Sequence, residues 1–418
     1  MNACVIGIDV GTSGVRVAAL AADGAIVGDS AIDMASLGDP REPEIWWRGV
    51  TAAFAQLCQV CDIGGVKGVA VDGTSGTMLA VDAEGRPVGP ARLYDEPCDD
   101  EGVLNAIDTY APADTAARGR TSALARVLLM QRRSGVRRLL HQADWISGRL
   151  SGRFDHSDAN NALKTGYDPV AARWPDWIGD TGADVSKLPI VVAPGAPVAS
   201  VGPEGIALGL PASAVVHAGT TDGCAAFLAT GASEIGDGVT SLGSTLVIKL
   251  LCDQPISAPE YGVYSHKIGS TWLAGGASNS GGKVIERLFG RDRLEALSSA
   301  LKPQQPTSLH YYPLTIPGER FPINDPKHPP RLEPRPADES VFFQGVLEGI
   351  AEVETLAYRK LRELGAPKLR SIRTVGGGAK NEGWSEIRQR VLRTPFAPAR
   401  SQEACVGVAQ LVLRQVKA

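Results

Sequence analysis

Ala3-Cys4-Val5-Ile6-Gly7-Ile8-Asp9-Val10-Gly11-Thr12-Ser13-Gly14-Val15-Arg16-Val17-Ala18-Ala19-Leu20 is the stretch on which the fold turns. It reads as an apolar strand over Ala3 to Asp9, a polar glycine turn over Gly11 to Gly14, and an alternating strand over Val15 to Leu20. Asp23-Gly24 turns the chain again before Ala25 to Asp33, which predicts an antiparallel meander. A Rossmann or P-loop unit passes from strand through a glycine loop into a helix, and the β-branched alternation Val15-Arg16-Val17 opposes that order. Strict GxGxxG and GxxxxGK[ST] patterns are absent as well.

Working outward, the same unit returns more than two hundred residues later. Gly238 to Leu242 runs into Gly243-Ser244-Thr245 and then the apolar segment Leu246 to Leu251. A third glycine element, Gly376-Gly377-Gly378, follows the apolar strand Ile372 to Val375 and precedes a helical segment from about Trp384 to Leu392. Between them Phe343, Val346, Leu347, Ile350, Val353, Ala357, Leu361 and Leu364 recur at helical spacing, with Asp338 as cap and Gly365 and Pro367 as the stop. The chain therefore divides into two α/β halves, with a boundary near residues 225 to 236. Leu188 to Pro203 and Pro303 to Pro336 read as long ordered loops.

The 418 residues suit two or three domains, and 44% hydrophobic with 21% charged residues is the balance of a globular chain rather than a disordered one or a coiled-coil rod. Forty-two Lys plus Arg against 46 Asp plus Glu leave a net charge of -4, which gives no electrostatic footprint for nucleic acid or an anionic membrane. Asp9 and Arg16 interrupt the first apolar stretch and no basic segment precedes it, so a signal peptide or membrane anchor is not expected and a cytoplasmic setting is. Seven scattered cysteines point to reduced thiols. Cys58 and Cys61 end the apolar-periodic segment Val50 to Cys61 with no second pair to complete a metal site, and helix packing explains them better.

A tight polar-glycine turn converges backbone N–H groups on phosphate oxygens, and two such turns can grip a triphosphate. An acid at a strand end such as Asp9 can hold a hydrated magnesium ion. Alone, such a glycine turn is more often simply a hairpin. Spacing alone also leaves Asp222, after the apolar strand Ala214 to Ala218, as either a reactive acid or a cap for a helix over Cys224 to Leu228.

Together, Ile8-Asp9-Val10-Gly11-Thr12-Ser13-Gly14-Val15-Arg16, Gly219-Thr220-Thr221-Asp222-Gly223, Ser241-Leu242-Gly243-Ser244-Thr245 and Gly376-Gly377-Gly378-Ala379-Lys380-Asn381-Glu382-Gly383-Trp384 resemble the FGGY carbohydrate kinases. The likeness runs to Glu403-Ala404-Cys405-Val406-Gly407-Val408-Ala409, which is similar to the family's terminal helix. It implies two actin-like, ribonuclease-H-like α/β domains flanking a nucleotide and sugar cleft, spanning residues 1–230 for sugar and 231–418 for ATP. It implies Asp222 as the catalytic acceptor of the hydroxyl proton. Asp9, Gly73, Thr74, Ser75, Asp95 and Asp222 are implied on the sugar. Gly11, Thr12, Ser13, Arg16, Gly243, Ser244, Thr245, Gly376, Gly377 and Asn381 are implied on ATP, with Asp9 on Mg2+.

Departures from the family pattern are visible. Gly14 stands where members often carry Ser, the second turn reads Gly-Ser-Thr for Gly-Thr-Ser, and the usual segment with Trp, Asp and Arg is replaced by Leu93-Tyr94-Asp95-Glu96-Pro97. Trp384 is read as core more readily than as a wall for the base. Asp158-Ala159-Asn160-Asn161 and Glu44-Ile45-Trp46-Trp47 read as structural. The Tyr-Asp-Glu-Pro segment and Tyr311 to Pro322 are most similar to the small ribulose- and xylulose-like kinases, which implies D-ribulose as acceptor. D-xylulose or another polyol is the alternative, and a non-kinase actin-like ATPase is the reading from a different class.

Overall fold

The computed structural model describes residues 3–417. Contacts divide it into two units. One runs up to Ala229 and takes in His266–Gly269 and the chain from Glu403 onward, and the other comprises Thr230–Ser265 and Ser270–Gln402.

The first unit opens with the expected meander, β1 (Val5–Val10), β2 (Gly14–Leu20) and β3 (Ile26–Asp33), all antiparallel. β4 (Gly68–Gly73) lies parallel beside β1. Two short ladders follow: β5 (Met78–Val81) with β6 (Arg138–His141), antiparallel, and β7 (His156–Asp158) with β8 (Ile190–Val192), parallel. β9 (Pro197–Ser200) and β10 (Val215–Thr221) complete a six-stranded sheet of order β3-β2-β1-β4-β10-β9.

Every residue of β1 and β4 is buried, because both faces of the sheet are covered, and so these strands are continuous apolar runs rather than alternating ones. On one face the helix Pro43–Val60 packs Ile45, Trp46, Val50, Phe54 and Leu57 against Ile6, Ile8, Val15 and Val17. On the other face the helices Asp222–Ala229 and Ala404–Lys417 cover Val5, Ala18, Leu20 and Ala70. Here backbone meets backbone: a Cβ on Gly407 would lie 1.8 Å from the Ala225 carbonyl oxygen, and one on Gly7 would lie 2.0 Å from that of Cys405.

The second unit repeats the plan. β11 (Asp237–Leu242) and β12 (Leu246–Cys252) form the hairpin, with β13 (Tyr264–Ile268), of which only Tyr264 and Ser265 count in this unit, β14 (Thr271–Ser278) and β15 (Ser371–Val375) in the sheet order β13-β14-β12-β11-β15. β12 pairs antiparallel with β11 and β14, and β15 lies parallel to β11 as β4 does to β1. The periodic segment forms the helix Glu339–Glu363, whose cap Asp338 accepts from the Ser340 amide. The helix expected from Trp384 starts at Glu382.

Three expectations need amendment. The terminal helix, assigned by chain order to the span 231–418, packs in the first unit, because its apolar face Cys405, Val408, Ala409 and Val412 is buried on β1 and β4. Residues 188–203 are not a plain loop but carry β8 and β9, whose half-exposed residues give little apolar signal. The helix expected over Val50 to Cys61 begins earlier, at Pro43, a proline at its first turn, and ends at Val60. Cys58 and Cys61 are free thiols whose pKa values burial raises. Among the described residues, no helix is long and apolar enough to cross a membrane.

Candidate active site

Three neighbouring parallel strands of the first unit bring their carboxyl ends together, the usual place for ligands in such sheets. β1 ends in Asp9-Val10, β4 in Asp72-Gly73 with Asp9 opposite Asp72, and β10 runs through Thr221 into Asp222, the first residue of its helix. A register shift between His217 and Thr220 aims that last acid. It depends on Gly219, where a Cβ would sit 1.7 Å from the Val71 carbonyl oxygen.

A cavity of about 430 Å³ opens here, lined by Asp9, Gly11, Thr12, Ser13, Thr74, Ser75, Tyr94, Asp222, Gly223, Ala226 and Ala404. Thr12 and Ser13 are exposed on a turn closed by the Gly11 amide donating to the Gly14 carbonyl at 2.9 Å. Gly14 itself has no room for the family's serine, since a Cβ would lie 2.3 Å from the Ile32 carbonyl oxygen. Thr74 is placed by its amide donating to Gln142 Oε1 at 3.0 Å, and Ser75 Oγ is buried with no protein partner. Asp222 Oδ1 accepts from the Gly223 amide at 2.6 Å.

The electrostatics are unusual. Burial pushes the Asp9 carboxyl up to about 6, the hydrogen bond from Asp72 and the charge of Arg16 pull it down, and Asp222 and Glu403 raise it. Arg16 lies 3.6 Å from Asp9 and 3.3 Å from Glu403. Asp72 is fully buried, and no N–H or hydroxyl donor reaches either of its oxygens. It meets Asp9 instead, and burial together with the Asp9 and Asp222 charges holds its pKa well above the usual range.

The structure brings Asp9, Gly11, Thr12, Ser13, Thr74, Ser75 and Asp222 onto one cavity. Gly73 lies behind it in β4, and Arg16 touches it only through Asp9 and Ser13. Asp95 is exposed and does not line the cavity, whereas its neighbour Tyr94 does. Nothing in the sequence marks Asp72 as a partner of Asp9, because parallel pairing across some sixty residues leaves no local signal.

The second unit has a larger cavity of about 780 Å³ beside its own turn, lined among others by Gly243, Ser244, Lys283, Gly377, Gly378, Asn381 and Trp384. The turn is braced from outside, with the Gly282 amide donating to the Gly243 carbonyl and the Lys283 amide to that of Ser244. Gly376 has φ of +87°, and its Cβ would meet the Leu242 carbonyl oxygen at 2.9 Å, while at Gly377 a Cβ would find open space. Thr245 and Gly376 do not line the cavity. Asn381 does, but its side chain also caps the following helix through the Trp384 amide and donates to Ser298 Oγ at 2.8 Å. Trp384 is core, 3% exposed, with one edge on the cavity. Asp158 is a helix cap and Glu44 pairs with Arg149, both structural tasks.

Two mixed α/β units of this plan define the actin-like, ribonuclease-H-like class. Residues 238–415 match the model of the C-terminal domain of the FGGY family of carbohydrate kinases. Over 91% of this chain and 83% of the relative, the sequence is 25% identical to a xylulose kinase of Escherichia coli K12. Another xylulose kinase, from Staphylococcus epidermidis, is 22% identical over 96% of this chain and 85% of its own. Among solved structures, a xyloylose kinase from Brucella ovis superposes with a TM-score of 0.85 at 23% identity, covering 99% of this chain and 90% of that one. Glycerol kinase from Plasmodium falciparum with ADP gives 0.80 at 15% identity, covering 100% and 90%. Residues 238–415 thus carry the C-terminal domain of the FGGY family of carbohydrate kinases, and the relatives similar over nearly the whole chain bear sugar-kinase names.

Proposed function

We propose that the protein transfers the γ-phosphoryl group of ATP to the terminal hydroxyl of a ketopentose, with D-ribulose as the preferred acceptor and D-ribulose 5-phosphate as product. The observation that carries this reading is the convergence of Asp222, Asp9, the Gly11-Thr12-Ser13 turn and the Thr74-Ser75 hydroxyls on one cavity of about 430 Å³. D-xylulose is the second reading, favoured by the names of the relatives.

Asp222 accepts the proton of the attacking hydroxyl; phosphoryl transfer asks little more of a protein than that carboxylate, correct positioning and charge neutralisation. Thr74, and the unpartnered hydroxyl of Ser75, supply hydrogen bonds for a polyol, and Tyr94 supplies a wall. In the second unit, Gly243, Ser244 and Gly377 offer backbone N–H groups to a nucleotide, with bare Gly377 allowing close approach.

The donor set suits magnesium. Asp9 and the Thr12 and Ser13 hydroxyls are hard oxygen donors on the same cavity, and among the described residues no cluster of three His, Cys, Asp or Glu is placed to hold a metal unaided. That fits an ion that keeps its waters and shares phosphate oxygens, with Asp9 on the water shell. When bound, it would neutralise phosphate charge.

The test is ATP consumption across a panel of ketopentoses, polyols and hexoses, with the product position assigned by NMR. Turnover with D-xylulose and none with D-ribulose removes the preferred acceptor alone. ATP hydrolysis indifferent to every sugar removes the kinase reading.

A further inference from the structure

Arg126 sits on the helix Ala123–Met130, 3% exposed, and does not line the sugar-side cavity. A buried guanidinium is ordinarily held by a carboxylate. Here the four acceptors it reaches are all main-chain carbonyls. Nη1 donates to Gly76 at 3.2 Å and to Thr121 at 3.0 Å, and Nη2 donates to Tyr94 at 2.6 Å and to Glu96 at 3.1 Å, while Nε has no partner. Burial lowers its pKa to about 10, so it stays charged at neutral pH.

What those carbonyls belong to gives the side chain its meaning. Gly76 closes the turn that presents Thr74 and Ser75, and Tyr94 is the aromatic wall of the same cavity. The two segments are also tied by the Tyr94 amide on Thr77 Oγ1 and, further from the cavity, by the antiparallel bridge between Met78 and Arg92, with Glu96 pinned from outside by Arg41 at 2.6 Å. Because the clamp grips carbonyls rather than side chains, it sets the distance between the hydroxyl-bearing turn and the ring whatever residues those segments carry.

We propose that Arg126 is a positioning residue for sugar recognition, its guanidinium holding the Thr74-Ser75 turn and the Tyr94 strip at the spacing that fits the acceptor. The inference rests on the kinase reading above and adds to it a determinant that touches no ligand.

The experiment compares Arg126→Met and Arg126→Lys in the full chain. The Met variant should raise the KM for the preferred ketose about tenfold or more, with kcat and the KM for ATP within about threefold, since aligned hydrogen bonds to the sugar are lost and the chemistry is not. Lys keeps the charge and fewer donors, so its KM should fall between. Hydrogen exchange gives a readout independent of activity: amides of residues 74–77 and 93–96 should lose protection in both variants while β11 and β15 keep theirs. If Met prevents folding, Lys carries both measurements. An unchanged ketose KM in a folded variant, an equal rise in the KM for ATP, or unaltered exchange in the two segments overturns the proposal. A wild-type enzyme that phosphorylates no ketose defeats the functional reading instead, and exchange still decides the clamp.

Discussion

The two units share a hairpin, a parallel strand beside it and a glycine turn, yet one register position separates them. In the first unit Asp9 faces Asp72 across β1 and β4; in the second, Ser241 faces Val375 across β11 and β15. The first sheet therefore ends in buried acids beside Asp222, with burial and the Asp222 charge raising the pKa values of both Asp9 and Asp72. The second ends in glycine, packed so that Gly376 and Gly378 press on Leu242 and leave Gly377 bare. One repeated topology thus ends in acids in one unit and in glycine in the other, the ends proposed above as reactive and cradling, and the difference is made by side chains rather than by the path of the chain.

Breaking the reactive end should have the largest effect. Asp222→Asn should lower sugar phosphorylation by ~10² or more while leaving ATP affinity intact, as single-turnover kinetics and calorimetry together would show. Near-normal turnover would deny the acid end its chemistry.

The cradling end is probed by a pair of glycines. Gly376→Ala places a side chain at φ of +87° against the Leu242 carbonyl and should cost about 1–3 kcal/mol in denaturant unfolding. Gly377→Ala meets nothing and should leave stability within about 0.5 kcal/mol, yet weaken nucleotide binding if backbone approach matters.

A pH series separates the two ends further. A carboxyl raised from 3.8 to about 6 binds its proton more tightly in the folded chain, so Asp9 should make the protein less stable as pH climbs from about 4 to about 6, levelling above. Asp9→Asn should remove that slope, on the order of 1–3 kcal/mol by thermal unfolding. A slope surviving in the variant would place the titration elsewhere. The smallest effect belongs to Asp95→Asn, which, exposed and off the cavity, should change the ketose KM by less than about threefold.

Much of this was legible in the chain because its signals are local. The turns at Gly11 and Gly243, the capped helix after Asp338 and the acid closing the strand before Gly223 are all written in adjacent residues. What escaped was long-range. The Asp9–Asp72 pairing needs β4 laid beside β1, and the choice of Tyr94 over Asp95 is one of facing. Arg126 carries no local sign of its role, since three of its four carbonyl partners lie thirty to fifty residues upstream in the chain. β9 begins with Pro197, tolerable at a sheet edge but a breaker on paper.

The glycines at 7 and 407 carry a consequence for biosynthesis. The helix Ala404–Lys417 seats against β1 so closely that no substitute fits its space, although the ribosome makes the two partners nearly four hundred residues apart. A nascent chain holding the whole acid-bearing sheet must wait, one apolar face uncovered, until the remainder has been translated. During that interval Val5, Ala18, Leu20 and Ala70 lack part of their cover, the kind of apolar surface through which incomplete chains associate.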